Sequence, residues 1–128
     1  MHKDEVSHAF TCVYRSFFKG RRSKVRSDHC EPVGLIVHYD DANRVNYIEI
    51  VPPVHGTVTL ELFGVEATGF SVRQIVELLR RHASDVARRD YGYACPSLGL
   101  TTFNSDPRDE SARIECIGVG PRGGPAAA

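Results

Sequence analysis

The chain has 128 residues, enough for one domain with a buried core, and its hydrophobic fraction of 41% is ordinary for a globular protein. Sixteen basic side chains balance sixteen acidic ones, which removes any global electrostatic reason to expect nucleic acid. No apolar run approaches the ~18–20 residues of a membrane helix, and the charged opening MHKDEVSHAF lacks a secretory stretch, so no membrane partner and a cytoplasmic location are expected.

Residues 4–14 place Val6, Phe10, Val13 and Tyr14 on one helical face, with Asp4 and Glu5 in the first turn. A short strand-like entry follows over 15–20, and then a basic loop, GRRSKVRS, over 20–27. Residues 34–39 and 44–51 are β-rich. The turn between them, Asp40-Asp41-Ala42-Asn43, has side chains that bond their own backbone, so the pair is predicted to be an antiparallel hairpin ended by Pro52-Pro53. TVTLELF over 57–63 alternates as a half-buried strand does.

The clearest helix spans 71–82. Ser71 is the N-cap and Gln74 completes a capping box; Val72, Ile75, Val76 and Leu79 form the buried stripe, and Arg80, Arg81 and His82 complement the C-terminal dipole. Three further strands are expected over 91–95, 99–103 and 113–119, and residues 121–128 read as a disordered tail. Ile48, Ile75, Leu79 and Ile117 are the expected core.

The two hairpin regions share a grammar. Cys30, Gly34 and Leu35 align with Cys95, Gly99 and Leu100 at one constant offset, while Arg44, Ile48 and Pro52 align with Arg113, Ile117 and Pro121 at a slightly larger one. Val6 and Phe10 fall on Ile75 and Leu79. The fold class expected is therefore α+β: a single domain over 1–120, built of two helix-plus-antiparallel-hairpin repeats, about 4–53 and 57–120. The halves would form one sheet packed by helices on one face, leaving the other open to solvent or to a partner.

The repeated helix-then-hairpin order resembles the tandem-repeat architecture of the β-lactamase-inhibitor-protein type and the related small lipoprotein modules of outer-membrane assembly. GLIVHYDDANRVNYIEI followed by PP, and later YGYACPSLGL, look like a group of small uncharacterised actinobacterial and bacillar proteins, some of them similar to immunity proteins of polymorphic toxin systems. The resemblance covers roughly residues 4–120. It implies a non-catalytic binding function with a protein partner, a toxin or an enzyme, and it transfers no catalytic residue. The chain departs from the inhibitor pattern in having one helix per unit rather than two.

Local chemistry is sparse. His38, Asp40 and Glu49 share a hairpin, but with Tyr39 facing Val45 the strand alternation sends Glu49 to the face opposite His38, so no metal site is expected. His29 and Cys30 are adjacent in a strand and point apart, which is poor geometry for a nucleophile and its base. GVGPRGG has no helix after it and there is no GxSxG, so no cofactor and no catalytic residue are assigned. Cys12, Cys30, Cys95 and Cys116 contain no CxxC and are expected as reduced thiols. The partner-binding candidates are Tyr39 and Tyr47, read as sharing one open sheet face, with Arg21, Arg22 and Lys24 of the basic loop. The alternative is a small enzyme or small-molecule-binding protein of a biosynthetic pathway, with Tyr39, Tyr47, Tyr91, Tyr93, His29 and His38 lining a pocket.

Overall fold

The computed structural model describes residues 2, 15–18, 26–30, 34–52 and 59–122, with only the backbone described for 15–18. The first expected helix, the loop carrying Arg21, Arg22 and Lys24, Cys12, and most of the expected tail lie outside these residues. The fold is mixed α+β. Ten strands are described: β1 (Arg15–Phe18), β2 (Arg26–Cys30), β3 (Leu35–Tyr39), β4 (Val45–Ile50), β5 (Glu61–Leu62), β6 (Val65–Glu66), β7 (Ala87–Arg89), β8 (Gly92–Cys95), β9 (Leu100–Phe103) and β10 (Cys116–Val119). A helix, α1 (Val72–Arg80), separates β6 from β7. Eight strands form one antiparallel sheet in the order β1-β2-β3-β4-β10-β9-β8-β7, and β5 and β6 make a separate hairpin.

The order is that of two meanders meeting at β4 and β10. Cys30 pairs with Leu35 and Leu35 with Ile50 in the first, just as Cys95 pairs with Leu100 and Leu100 with Val119 in the second. The glycine at the start of each hairpin serves the same purpose. Gly34 and Gly99 have φ of 68° and 66°, and their carbonyls accept from Val51 N and Gly120 N, each at 2.7 Å. A Cβ at either would strike the carbonyl oxygen of that same partner, so both positions require glycine twice over.

The first hairpin turns as its sequence indicates. Asp40 Oδ1 accepts from Ala42 N at 2.9 Å and Arg44 N at 3.0 Å, and Asn43 takes a left-handed φ of 58°. The register changes just inside the turn. Tyr39 pairs with Val45, but His38 pairs with Tyr47, leaving Asn46 as a bulge. That one extra residue overturns two expectations. Tyr39 and Tyr47 lie on opposite faces, and Glu49 lies on the same face as His38, because side-chain direction inverts with every residue of slip.

Helix α1 forms as its sequence dictates. Ser71 Oγ accepts from Gln74 N, and Gln74 Oε1 accepts from Ser71 N, the reciprocal pairing of a capping box. Val72, Ile75, Val76 and Leu79 pack with Tyr93, Leu100, Ile114 and Ile117 in one cluster, so the helix covers the second meander. Each such side chain contributes about 1.5–3 kcal/mol of burial. Ile75, Leu79 and Ile117 are fully buried, but Ile48 is only half-buried, beside the smaller cluster of Val37 and Tyr39. The expected strand over 57–63 is reduced among the described residues to β5, because Phe63 and Gly64 turn the chain at φ of 52° and 76°. The strand expected from Arg113 begins at Cys116; Arg113 instead forms an isolated bridge with Ser71 that ties the helix start to the sheet.

The expectation of four reduced thiols is also corrected. Cys30 is disulfide-bonded, while Cys95 and Cys116 are free. Spacing alone does not distinguish a packed thiol from a bonded one. Two outcomes are expected. A thiol reagent added to denatured, unreduced protein labels Cys95 and Cys116 but leaves Cys30 unlabelled until reduction. Gly34→Ala and Gly99→Ala each cost about 2 kcal/mol or more in chemical denaturation, and by similar amounts, because each meets the same carbonyl collision at the same φ.

Candidate binding face

Strand alternation divides the sheet residues cleanly. Val37, Tyr39, Tyr93, Leu100 and Ile117 point to the helix side. Ser27, His29, Ile36, His38, Tyr47, Glu49, Thr101, Phe103 and Cys116 point to the other side. No described helix packs on this second face.

A polar row crosses it from β2 to β9. Ser27 and His38 are direct cross-strand partners, with Ser27 Oγ 2.6 Å from His38 Nδ1. His38 Nε2 lies 3.2 Å from Glu49 Oε1 yet is not aligned for a hydrogen bond, so this buried nitrogen completes none. The tautomer that suits both neighbours puts the hydrogen on Nε2 and lets the serine hydroxyl donate to Nδ1. The His38 ring stacks beside Tyr47, with centroids 6.0 Å apart. Tyr47 then runs over Gly118, whose missing side chain leaves room for the phenol, and its hydroxyl meets Thr101 Oγ1 at 3.0 Å.

Burial is the main reason the Tyr47 phenol is pushed up to about 12; Glu49 adds to it, against the hydrogen bond from Thr101. Burial, with Glu49 nearby, likewise pushes the Cys116 thiol up to about 11, leaving it a poor nucleophile at neutral pH. Tyr91 and Phe103 stack at 4.9 Å farther along the same face.

A histidine between a hydroxyl and a carboxylate has the donor–acceptor chain of a hydrolytic triad. Here Ser27 is 3% exposed, so a substrate carbonyl cannot reach its oxygen. In this arrangement the row fixes the registers of β2, β3 and β4. Its signal in the sequence was hidden by the bulge, which alone places Glu49 beside His38.

The sequence candidates separate. Tyr39 is 5% exposed on the helix side, and its hydroxyl donates to Asp28 Oδ2 at 2.6 Å. Tyr47 is 2% exposed, so neither ring presents surface to a partner, contrary to expectation. The pocket set divides too: Tyr39 and Tyr93 lie on the helix side, the latter donating to Glu110, while His29, His38 and Tyr47 lie across the sheet. Among the described residues, the half-exposed side chains of the face opposite α1 are instead His29, Ile36, Glu49, Phe103 and Cys116. Among the described residues no three His, Cys, Asp or Glu side chains converge as a metal site requires. Comparison with protein-family models, with curated proteins and with solved structures returned no match.

The Tyr47 environment sets a pH dependence. The folded chain holds the phenolic proton to about 12, whereas the unfolded chain releases it near 10.0. The stability that Tyr47 confers is therefore complete below pH 10 and lost as pH rises toward 12. Tyr47→Phe costs about 1 kcal/mol at neutral pH through the lost hydrogen bond. In denaturation series, the advantage of the wild type over this variant shrinks across that alkaline window.

Proposed function

We propose that the protein is a non-catalytic binding module, immunity- or inhibitor-like, that captures a toxin or an enzyme on the face of its sheet opposite α1. The observation that carries this is the face itself: half-exposed aromatic, aliphatic and ionisable side chains on rigid strands, with no described helix over them. Aromatic anchors on a preorganised surface supply affinity at low entropic cost. We read the chain, further, as two related halves. The matched registers and the matched Gly34 and Gly99 geometry support that reading for the strands, while the residues expected to form the first half's helix lie outside the described residues.

No described helix is long and apolar enough to cross a membrane. The Cys30 disulfide favours an oxidising compartment over the cytoplasm expected from the sequence.

The alternative is an enzyme built on the Ser27–His38–Glu49 row, which requires the buried Ser27 to become reachable by substrate. A fluorophosphonate probe separates the two. A binding module leaves Ser27 unlabelled in the folded protein, and stoichiometric labelling lost in Ser27→Ala would establish a hydrolase.

The binding reading is tested with the product of an adjacent gene as the trial partner, measured by calorimetry. Ile36→Asp and Phe103→Asp are expected to weaken capture by about 30-fold or more. Arg73→Glu and Glu77→Lys on the exposed side of α1 leave it unchanged. Loss of capture by the helix variants alone would move the interface off the sheet.

A further inference from the structure

We propose that the cleft between the β7–β8 turn and the β9–β10 loop is a recognition site for a carboxylate-rich segment of a protein partner; this rests on the binding-module reading and adds a second, electrostatic contact to it. The cleft is open, about 720 Å³, and is lined by Arg88, Arg89, Asp90, Pro107 and Arg108. All three arginines are exposed, and none forms an ion pair with a described residue.

The acids of the neighbouring loop keep their charge but accept hydrogen bonds from neutral donors, and of the acidic side chains only Asp90 lines the cleft. Asp106 Oδ1 accepts from Arg108 N at 3.2 Å, Asp109 Oδ1 from Ser111 Oγ at 2.6 Å, and Glu115 Oε2 from Ser105 N at 2.6 Å. These bonds hold the Asp109 and Glu115 carboxyls below the usual range. Glu110 accepts the Tyr93 hydroxyl. The loop is braced as well, with Asn104 Nδ2 donating to Arg113 O at 2.9 Å and Asn104 Oδ1 accepting from Glu115 N at 3.2 Å. Arg89 Nη1 donates to Arg88 O at 3.1 Å, which restrains its guanidinium. Three cations on restrained backbone therefore face one lining carboxylate.

Charges on an edge strand also serve to deter aggregation, and β7 is an edge. That purpose does not account for Arg108, which comes from a different loop and converges on the same cleft. The occupant is argued from charge and shape. Guanidinium forks pair with carboxylates two oxygens at a time. An open polar groove does not enclose a small molecule as a ligand pocket does. A neutral chain lacks the extended basic field that nucleic acid requires.

The test uses the full chain and a short polyglutamate peptide as the probe, followed by NMR of the arginine side chains, with pyrophosphate and an oligothymidylate in parallel. Polyglutamate is expected to shift Arg88, Arg89 and Arg108, to bind less tightly as salt rises, and to lose about tenfold in affinity to the double variant R88E/R108E. The thermal transition of that variant is expected to match the wild type, since the substituted side chains are exposed. Polyglutamate binding that ignores these substitutions overturns the site. Tighter binding of pyrophosphate or oligothymidylate at the same arginines overturns its assignment to a protein segment. The two proposals fail separately: Phe103→Asp leaves polyglutamate binding intact while testing the sheet face, and R88E/R108E does the converse.

Discussion

Continuity of the sheet depends on the antiparallel seam between β4 and β10, where Ile50, Glu49 and Ile48 meet Ile117, Gly118 and Val119. On the helix side the seam is closed by Ile117, packed among Ile75, Leu79 and Tyr93, with Ile50 and Val119 beside them. On the other side it is closed by one residue. Tyr47 leaves β4, passes over Gly118 of β10 and bonds Thr101 of β9. Gly118 is therefore defined by what crosses it: any side chain there would displace the phenol and with it the contact that spans three strands. Burial of a whole tyrosine ring outweighs the single hydrogen bond at its tip, which is worth about 1 kcal/mol. The hydroxyl fixes where the ring lies.

Much of the architecture was legible because it is written in local chemistry. The capping box at Ser71 and Gln74 announces α1, the Asp40 turn announces the β3–β4 hairpin, and Gly34 and Gly99 mark two chain reversals that only a left-handed residue makes. The site was illegible for an equally physical reason. A bulge at Asn46 has no distinctive residue type, yet it reverses the facing of everything beyond it. Alternation counted through Asn46 puts Tyr39 with Tyr47 and sends Glu49 away from His38. The observed pairing does the opposite. Cys30 is a second such case, since its environment matches that of Cys95 in strand position while only one of them is bonded.

The polar row on the open face carries a cost that shape alone does not repay. A buried imidazole nitrogen without a hydrogen bond forfeits ~1–3 kcal/mol. His38 tolerates this because Glu49 sits at 3.2 Å and because Ser27 holds the other nitrogen. Polar contacts of this kind discriminate registers better than they stabilise them. A one-residue slip of β3 against β2 would bury Ser27 and His38 unpaired, whereas a slip between purely aliphatic strands leaves no unsatisfied group. The row therefore accounts for a unique strand alignment on a face that lacks a described helix to enforce one.

Charge completes the picture, because a neutral chain must place its positive charge locally for it to act. Arg88 and Arg89 end one edge of the sheet and Arg108 stands beside them, while β1 forms the other edge. Seven inter-strand spacings put β1 and β7 about 34 Å apart. That is several times the ~8–10 Å over which ions in physiological salt screen exposed charge. Charge at the β7 edge is thus screened from charge at the β1 edge. On the proposed binding reading, a partner seated on the face opposite α1 would be drawn in by the arginines at the β7 edge and held by the apolar residues in the middle. Charges at such a rim govern how fast and in which orientation partners meet, and the desolvated centre governs how long they stay. On the proposed binding reading, the sheet's width would divide the two jobs between strands: encounter at the Arg88–Arg89 edge, retention at Ile36 and Phe103, which flank the seam.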